Sequence, residues 1–548
     1  MRRSKDRLAF LLLFTLLNCS RTPELTGRLP RLEERDGAVR LIVDDQPFLM
    51  IAGELHNSSA SCLDSMDSLF ARLAALNLNT VLAPVSWELI EPHEGEFDFT
   101  VVDGLLAAAR ENGLKLVLLW FGSWKNTESS YVPAWVKRDT RRFFRARTRS
   151  GEQREILSAL CREAQQADTR AFAALLRHLR QVDAFEQTVL MVQVENETGL
   201  LGDARDFCAA ADSAFHSPVP RQLLDSLSKR ENRLHPELRA AWRKGATGTW
   251  REVFGDEAEE VFSAWYIASY VEAVARAGKA EYPLPMYVNA WLRAEGQKPG
   301  EYPSGGPIDK VIDVWRAAAP SIDLFAPDIY LPNFKQICAD YARSDYPLLI
   351  PETHRNREST ARALYAFAQH NALCCAPFGI EDILDPLAFQ KGCGFLQSLA
   401  PILTTHCGGR DMAGVLQEGD ETDTLSLGEY RFFIRYHAKA GIGYGLIVRT
   451  GVDTFLVGGS GFELHFLPKC ETEAAPRILQ VDELVYRDGN WRLCRRLNGD
   501  ETAAHQRVIV PELLNPELAA GLKESTTHPP LPKPPEEYAL QRVIVYRL

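Results

Sequence analysis

None of the eleven cysteines in this sequence forms a Cys-x-x-Cys pair, which excludes the usual knuckles of a structural zinc site. A membrane-length apolar run is also missing, since the apolar stretch 8–17 is too short to cross a bilayer as a helix. Excess basic charge is missing too. A formal charge of −11 and a pI near 5.7 leave no positive surface to neutralise phosphates, so nucleic acid is not an expected partner. The short run Arg141-Arg142, with Arg145 and Arg147, reads as solvated surface. At 46% apolar and 25% charged residues over 548 positions, the chain suits a large soluble domain with a smaller companion.

The first residues read as an address. Arg2, Arg3, Lys5 and Arg7 precede the apolar stretch, and Asn18-Cys19-Ser20 follows it. A basic segment before a short apolar one predicts a secretory signal over 1–25, hence export to the periplasm or cell envelope. Leu16-Leu17-Asn18-Cys19 is similar to a bacterial lipobox, although Asn18 stands where a small residue is usual. It predicts a lipid anchor at Cys19, tying the protein to the outer membrane; no other membrane contact is expected. Cys62, Cys208, Cys338 and Cys374 lie in apolar segments, and the adjacent Cys374-Cys375 reads as buried small hydrophobes.

From residue 38 onward strand and helix signals alternate. A hairpin is expected from 38–43 through Asp44-Asp45-Gln46-Pro47 to 48–52, its second arm becoming the first of eight strands. The others are read at 80–85, 114–120, 188–192, 286–291, 322–327, 346–351 and 372–377. Helices are read at 64–76, 101–112 (capped by Gly113), 171–181 and 359–370, with a long helical and polar insert over 203–280. Strands that are apolar throughout, rather than alternately, predict a parallel sheet covered on both faces, and hence an α/β fold, a closed (β/α)8 TIM barrel over 26–402. After residue 402 short β-rich segments take over, separated by turns such as Gly458-Gly459-Ser460-Gly461 and Asp488-Gly489-Asn490. These predict a C-terminal antiparallel β-sandwich over 403–548 that packs on the barrel. There is no internal repeat, and 529–535 is a Pro-rich loop.

Two carboxylates carry the chemistry. Glu197 follows the fourth strand in Gln193-Val194-Glu195-Asn196-Glu197, and Glu352 ends the seventh. In a parallel barrel both tips face one mouth, where barrel enzymes keep their chemistry. One acid to give a proton and one anion to attack is what glycosidic cleavage with retention requires. Glu197 is therefore read as acid/base and Glu352 as nucleophile, with Tyr330, His354 or Arg355 as polar neighbours. The structural alternatives are a solvated acidic loop for Glu197 and pairing with Arg355 or Arg357 for Glu352. Aromatic rings can stack on sugar C–H faces, so Trp87, Trp120, Trp291 and Tyr330 are read as substrate-binding. The same reading takes in Glu54, His56, Glu88, Lys125, Asn126, Asn196 and Asn289 as polar partners, with Asn196 offered to a sugar 2-hydroxyl. Neither metal nor organic cofactor is expected.

Several of these segments resemble the bacterial members of glycoside hydrolase family 35. They are Gly53-Glu54-Leu55-His56-Asn57-Ser58, Trp87 to Phe99 (WELIEPHEGEFDF), and the strand-four run ending Glu195-Asn196-Glu197. Pro351-Glu352 resembles that family's nucleophile strand. Trp120-Phe121-Gly122-Ser123-Trp124-Lys125-Asn126, together with the β-rich end, resembles a subgroup whose C-terminal domain is uncharacterised. The resemblance implies a retaining exo-β-galactosidase acting on oligo- or polysaccharides by double displacement. The chain departs from the common pattern at Glu88, where Asn is usual, at Lys125-Asn126, where a Glu-Trp and Gly-Gly pattern is usual, and at Thr198, where an aromatic residue is commoner. These departures bear on the sugar accepted. The alternatives are therefore a retaining enzyme for an arabinoside or xyloside, and a non-catalytic glycan-binding surface lipoprotein.

Overall fold

The structure, a computed structural model, describes residues 29–342, 346–439, 441–470, 474–497, 499–513 and 538–547. The expected signal with Cys19 and the Pro-rich loop 529–535 lie outside the described residues. Ala38–Val43 pairs antiparallel with Arg31–Arg35 on one side and with the short Gln46–Pro47 on the other. The second arm of the expected hairpin is therefore only two residues long. The first parallel strand begins later than expected, at Ala52.

Eight parallel strands follow: β1 (Ala52–Glu54), β2 (Thr80–Ser86), β3 (Lys115–Phe121), β4 (Val189–Val194), β5 (Met286–Trp291), β6 (Leu324–Asp328), β7 (Ile350–Thr353) and β8 (Cys375–Pro377). The first six form one sheet in sequence order and the last two pair with each other. Single parallel bridges join the groups at both seams, Ile329 to Thr353 and Met50 to Cys374, with Glu54 to Phe378 at the tips. Nearly every residue of β2, β3 and β4 is buried, as expected of strands covered on both faces. This is a TIM-like α/β domain.

The covering helices show why their segments fold as they do. α1 (Met66–Ala75) and α2 (Thr100–Glu111) each bury one stripe; on α2 it is Val102, Leu105, Leu106, Ala108 and Ala109. Just past α2, Gly113 adopts φ +67°, the left-handed turn that redirects the chain into β3. α3 (Arg162–Asp183) is twice as long as expected, because Arg, Glu and Gln on its outer face hide its start. It packs against α4 (Ala258–Glu281), which closes the segment read as an insert. α4 is thus the covering helix that leads into β5. Only the shorter helices before it, Ala209–Phe215, Arg221–Arg230, Pro236–Ala241 and Trp250–Phe254, are additions. α5 (Ile312–Ala318), α6 (Phe334–Tyr341), α7 (Ser359–His370) and α8 (Pro386–Thr405) complete the layer.

The expected change of character at 402 falls inside α8, so the β-rich part starts after Thr405. Ten strands follow among the described residues: β9 (Met412–Leu416), β10 (Thr422–Leu427), β11 (Tyr430–Tyr436), β12 (Tyr444–Arg449), β13 (Thr454–Ser460), β14 (Phe462–Pro468), β15 (Pro476–Arg487), β16 (Asn490–Leu497), β17 (Val508–Val510) and β18 (Leu540–Arg547). They make a six-stranded sheet, β9-β12-β13-β18-β15-β16, and a four-stranded one, β10-β11-β14-β17. Both are antiparallel, and both feed one apolar cluster that includes Phe432, Phe455, Phe462, Val481 and Val543.

Gly458 and Gly459 are not turn residues. They pair with Leu446 and Gly445 inside the sheet, and a Cβ on Gly459 would lie 2.1 Å from the Tyr444 carbonyl oxygen. Their role is close backbone approach, and only Gly461 turns the chain. The β-rich part rests on α8, where Phe395 stacks on Tyr538 at 4.4 Å and Trp491 donates to the Ser398 carbonyl at 3.3 Å.

Candidate active site

Glu197 and Glu352 come from the tips of β4 and β7, on strands far apart in the chain, and both are buried. One carboxylate oxygen from each, with one from Asp328 at the end of β6, lies within 4.8 Å of the others. Neutral amides interleave these acids. Asn196 donates Nδ2–H to Glu352 Oε1 at 3.3 Å, while its Oδ1 accepts from Lys125 Nζ at 3.0 Å. Asn289 accepts the Glu197 backbone N–H at 2.9 Å and donates to Asp328 Oδ2 at 2.8 Å. Asn126 donates to Glu197 Oε2 at 2.7 Å, and the Tyr330 hydroxyl donates to Glu352 Oε2 at 3.1 Å. Both Glu352 oxygens therefore accept from neutral donors, the arrangement suited to an attacking carboxylate.

The electrostatics raise three of the buried acids at this mouth. Burial, and then the nearby Glu352 carboxylate, raise Glu197 to about 8, against a partial offset from Lys125 and a hydrogen bond to Asp328. Asp328 is pushed well above the carboxylate range by burial first, then by Glu352 and Glu197. Glu54, wholly buried at the end of β1, is raised well above its ordinary value by burial and next by Glu352. A carboxyl so raised is a neutral acid near neutral pH, able to donate as well as accept. Three carboxylates at the spacing of Glu197, Asp328 and Glu352 could also hold a cation, in competition with those protons.

Among the residues expected here, Glu54, Lys125, Asn126, Asn196, Asn289 and Tyr330 do gather around the pair. Trp291, at the tip of β5 opposite Asp328, keeps 41% of its surface open on the rim. His56 sits further out, bonded through Nε2 to Asp382 at 2.8 Å. Glu88 is turned away and pairs with Lys137 at 3.3 Å. Trp87 and Trp120 are corrections: both are wholly buried, their indole N–H groups donating to Glu91 at 2.8 Å and Asp168 at 2.9 Å. A strand-tip position does not say which face a side chain takes, and these two point into the packing layer. Arg355 donates to the Phe378 carbonyl at 3.3 Å, so its guanidinium is engaged there. His354 packs edge-on against the Tyr330 ring and bonds the Tyr330 carbonyl at 3.1 Å, orienting the tyrosine.

Asp328 was not read from the sequence, although it stands one residue past an apolar strand and two before Tyr330. Gln193 was also missed, and Tyr287, an aromatic near a strand end, was passed over in favour of Trp87, Trp120, Trp291 and Tyr330. Gln193 and Tyr287 are both buried, and the Gln193 amide and the Tyr287 hydroxyl have no hydrogen-bond partner among the described residues; the same holds for both Glu54 oxygens. Buried polar atoms left in this way are the ones that water or a hydroxyl-rich ligand satisfies.

Residues 40–232 match the family described as glycosyl hydrolases family 35. That match spans 193 of the 548 residues, about a third of the chain. The matched span holds Lys125, Asn126, Asn196 and Glu197 but ends well before Glu352. Residues 389–509 match a domain of unknown function, DUF5597, which covers most of the β-rich part. A β-galactosidase of Xanthomonas manihotis is 28% identical over 179 residues, 31% of this chain and 27% of that protein. The chain thus matches little more than a quarter of the curated relative's length. Among solved structures, a β-galactosidase from the psychrophilic Marinomonas ef1 is similar with a TM-score of 0.47 and 12% identity, covering 65% of this chain and 62% of that one. One from Bacillus circulans sp. alkalophilus is similar with a TM-score of 0.45 and 15% identity, covering 65% and 57%.

Proposed function

We propose that this protein is a retaining exo-β-galactosidase of family 35 that removes terminal β-galactosyl residues from oligo- or polysaccharides. The observation that carries the mechanism is the closeness of Glu197 and Glu352, whose nearest oxygens fall within 4.8 Å. Carboxyl groups about 5–5.5 Å apart suit covalent capture of the sugar, whereas inverting enzymes need about 6.5–9.5 Å to admit a water. Glu352 attacks the anomeric carbon. Glu197, kept protonated by its surroundings, gives its proton to the leaving oxygen and later takes one from the attacking water. Asn196 and Tyr330 hold the attacking carboxylate, and Asn126 and Asn289 hold the acid. The seam bridges support reading the eight strands as a closed (β/α)8 barrel. The apolar cluster shared by the two C-terminal sheets supports reading that part as a β-sandwich.

The test is hydrolysis of an aryl β-galactoside followed by proton NMR, in which the first product formed is β-galactose. The α-anomer as first product refutes retention. A second reading changes the sugar and keeps the mechanism. It is favoured by Lys125 and Asn126, positions where this chain departs from the family pattern, which touch Asn196 and Glu197 directly. Faster release from an aryl arabinoside or xyloside than from the galactoside selects it.

A further inference from the structure

The tips of β3 and β4 are bonded rung by rung. Trp124 donates its backbone N–H to Glu195 Oε2 at 2.7 Å, Lys125 reaches Asn196 at 3.0 Å, and Asn126 reaches Glu197 at 2.7 Å. The Asn196 N–H returns to the Trp124 carbonyl at 3.2 Å. Both segments hold non-glycine residues in the left-handed region: Asn126 and Thr127 at φ +50° and +62°, Glu195 and Glu197 at +63° and +44°. Backbone of this kind persists only where its surroundings hold it.

The hold on the first rung lies behind the catalytic pair. Glu195 is wholly buried, as is Asp168 of α3. Asp168 accepts from Trp120 Nε1 at 2.9 Å, from the Ser123 N–H at 3.2 Å and from the Tyr270 hydroxyl at 3.2 Å. Glu195 Oε1 lies beside it, with no other hydrogen-bond partner among the described residues. Both carboxyls crowd Gly122, where an added Cβ would meet Glu195 Oε1 at 2.7 Å and Asp168 Oδ1 at 2.8 Å. Two carboxyl groups can bond each other only when one carries a proton. Asp168, with three other donors, is the acceptor; Glu195, with one, supplies the proton. Burial drives Glu195 well above the carboxylate range, in the direction this requires.

We propose that Glu195 is a positioning residue, a neutral carboxylic acid that ties Asp168 to the Trp124 backbone and so sets Asn126 against Glu197. Its effect on turnover rests on Glu197 being the acid/base; its effect on the loop does not. The test compares the full chain with the E195Q, E195D and E195A variants by steady-state kinetics and by amide hydrogen exchange over residues 123–127 and 195–198. A glutamine can donate to Asp168 and accept from Trp124, an aspartate is too short to do both, and an alanine does neither. E195A is expected to lose about 100-fold in kcat with KM changed by less than about threefold, the scale of a misplaced catalytic group. Exchange over both segments should quicken in E195A. E195Q should recover most of the turnover and the protection, and should exceed E195D in both.

Wild-type turnover and protection in E195A overturn the proposal. So does E195D outperforming E195Q, which would make the titrating acid, not the neutral link, the requirement. If E195A does not fold, the ranking of E195Q against E195D decides alone. Should the wild type cleave no β-galactoside, the proposed function fails by itself, and the exchange comparison still decides the role of Glu195.

Discussion

Asn289 binds the backbone of Glu197 through one end of its amide, at 2.9 Å, and so fixes the residue at the turn where its φ is +44°. The other end of the same amide donates to Asp328. One neutral side chain therefore ties the backbone of one acid to the carboxyl of the other. Replacing Asn289 with Ala should lower kcat about 10–100-fold, because a small displacement of the acid suffices. It should also destabilise the fold by about 1–3 kcal/mol through the orphaned partners. Steady-state kinetics beside thermal unfolding separate the two effects.

The pH profile reports on Glu197. The acid must be protonated at the first step, so kcat/KM should fall as pH rises through about 8. Lys125 lowers Glu197, so K125M should move this alkaline limb to higher pH while lowering the maximum. An unmoved limb would show that another group sets it.

Stability should follow the same proton. Glu197 stands at about 8 in the folded chain against an ordinary 4.5. Between those values the folded chain keeps a proton that the unfolded chain has released, so stability falls as pH rises. The contribution is fully present below 4.5 and is lost as pH passes about 8. Thermal unfolding of E197Q, whose amide does not titrate, should therefore lose less Tm than the wild type between about pH 5 and about pH 9.

Two tryptophans that look alike in the sequence should behave oppositely. Trp87 is wholly buried, so Trp87→Ala should cost about 3–5 kcal/mol of stability with little change in KM of the folded fraction. Trp291→Ala should leave Tm nearly unchanged and raise KM for galactosides with a sugar leaving group. The expected loss is ~0.5–1.5 kcal/mol of stacking, a factor of about 2 to 12. Thermal melts and KM on a disaccharide read both.

The strands and their two terminal glutamates were legible because a parallel strand covered on both faces is written as an unbroken apolar run that stops at its polar tip. α4 was not legible as a barrel helix. Val261, Phe262, Ala264, Trp265, Ala268 and Tyr270 are buried around much of its circumference, so no single stripe shows in the sequence. Trp87 and Trp120 were misplaced because proximity to a strand end does not fix side-chain direction. Asp328 and Glu195 escaped for a related reason. An isolated acid beside an apolar run looks like the start of a loop, and only the fold reveals that it is buried against another carboxyl.

Trapping the covalent intermediate tests the central claim most directly. Incubation with an activated 2-deoxy-2-fluoro-β-galactoside, then proteolysis and mass spectrometry, should find a fluorogalactosyl ester on Glu352 and on no other residue. Hydrolysis that proceeds with no ester formed, or an ester on a different side chain, would contradict the assignment of Glu352 as nucleophile and with it the double displacement.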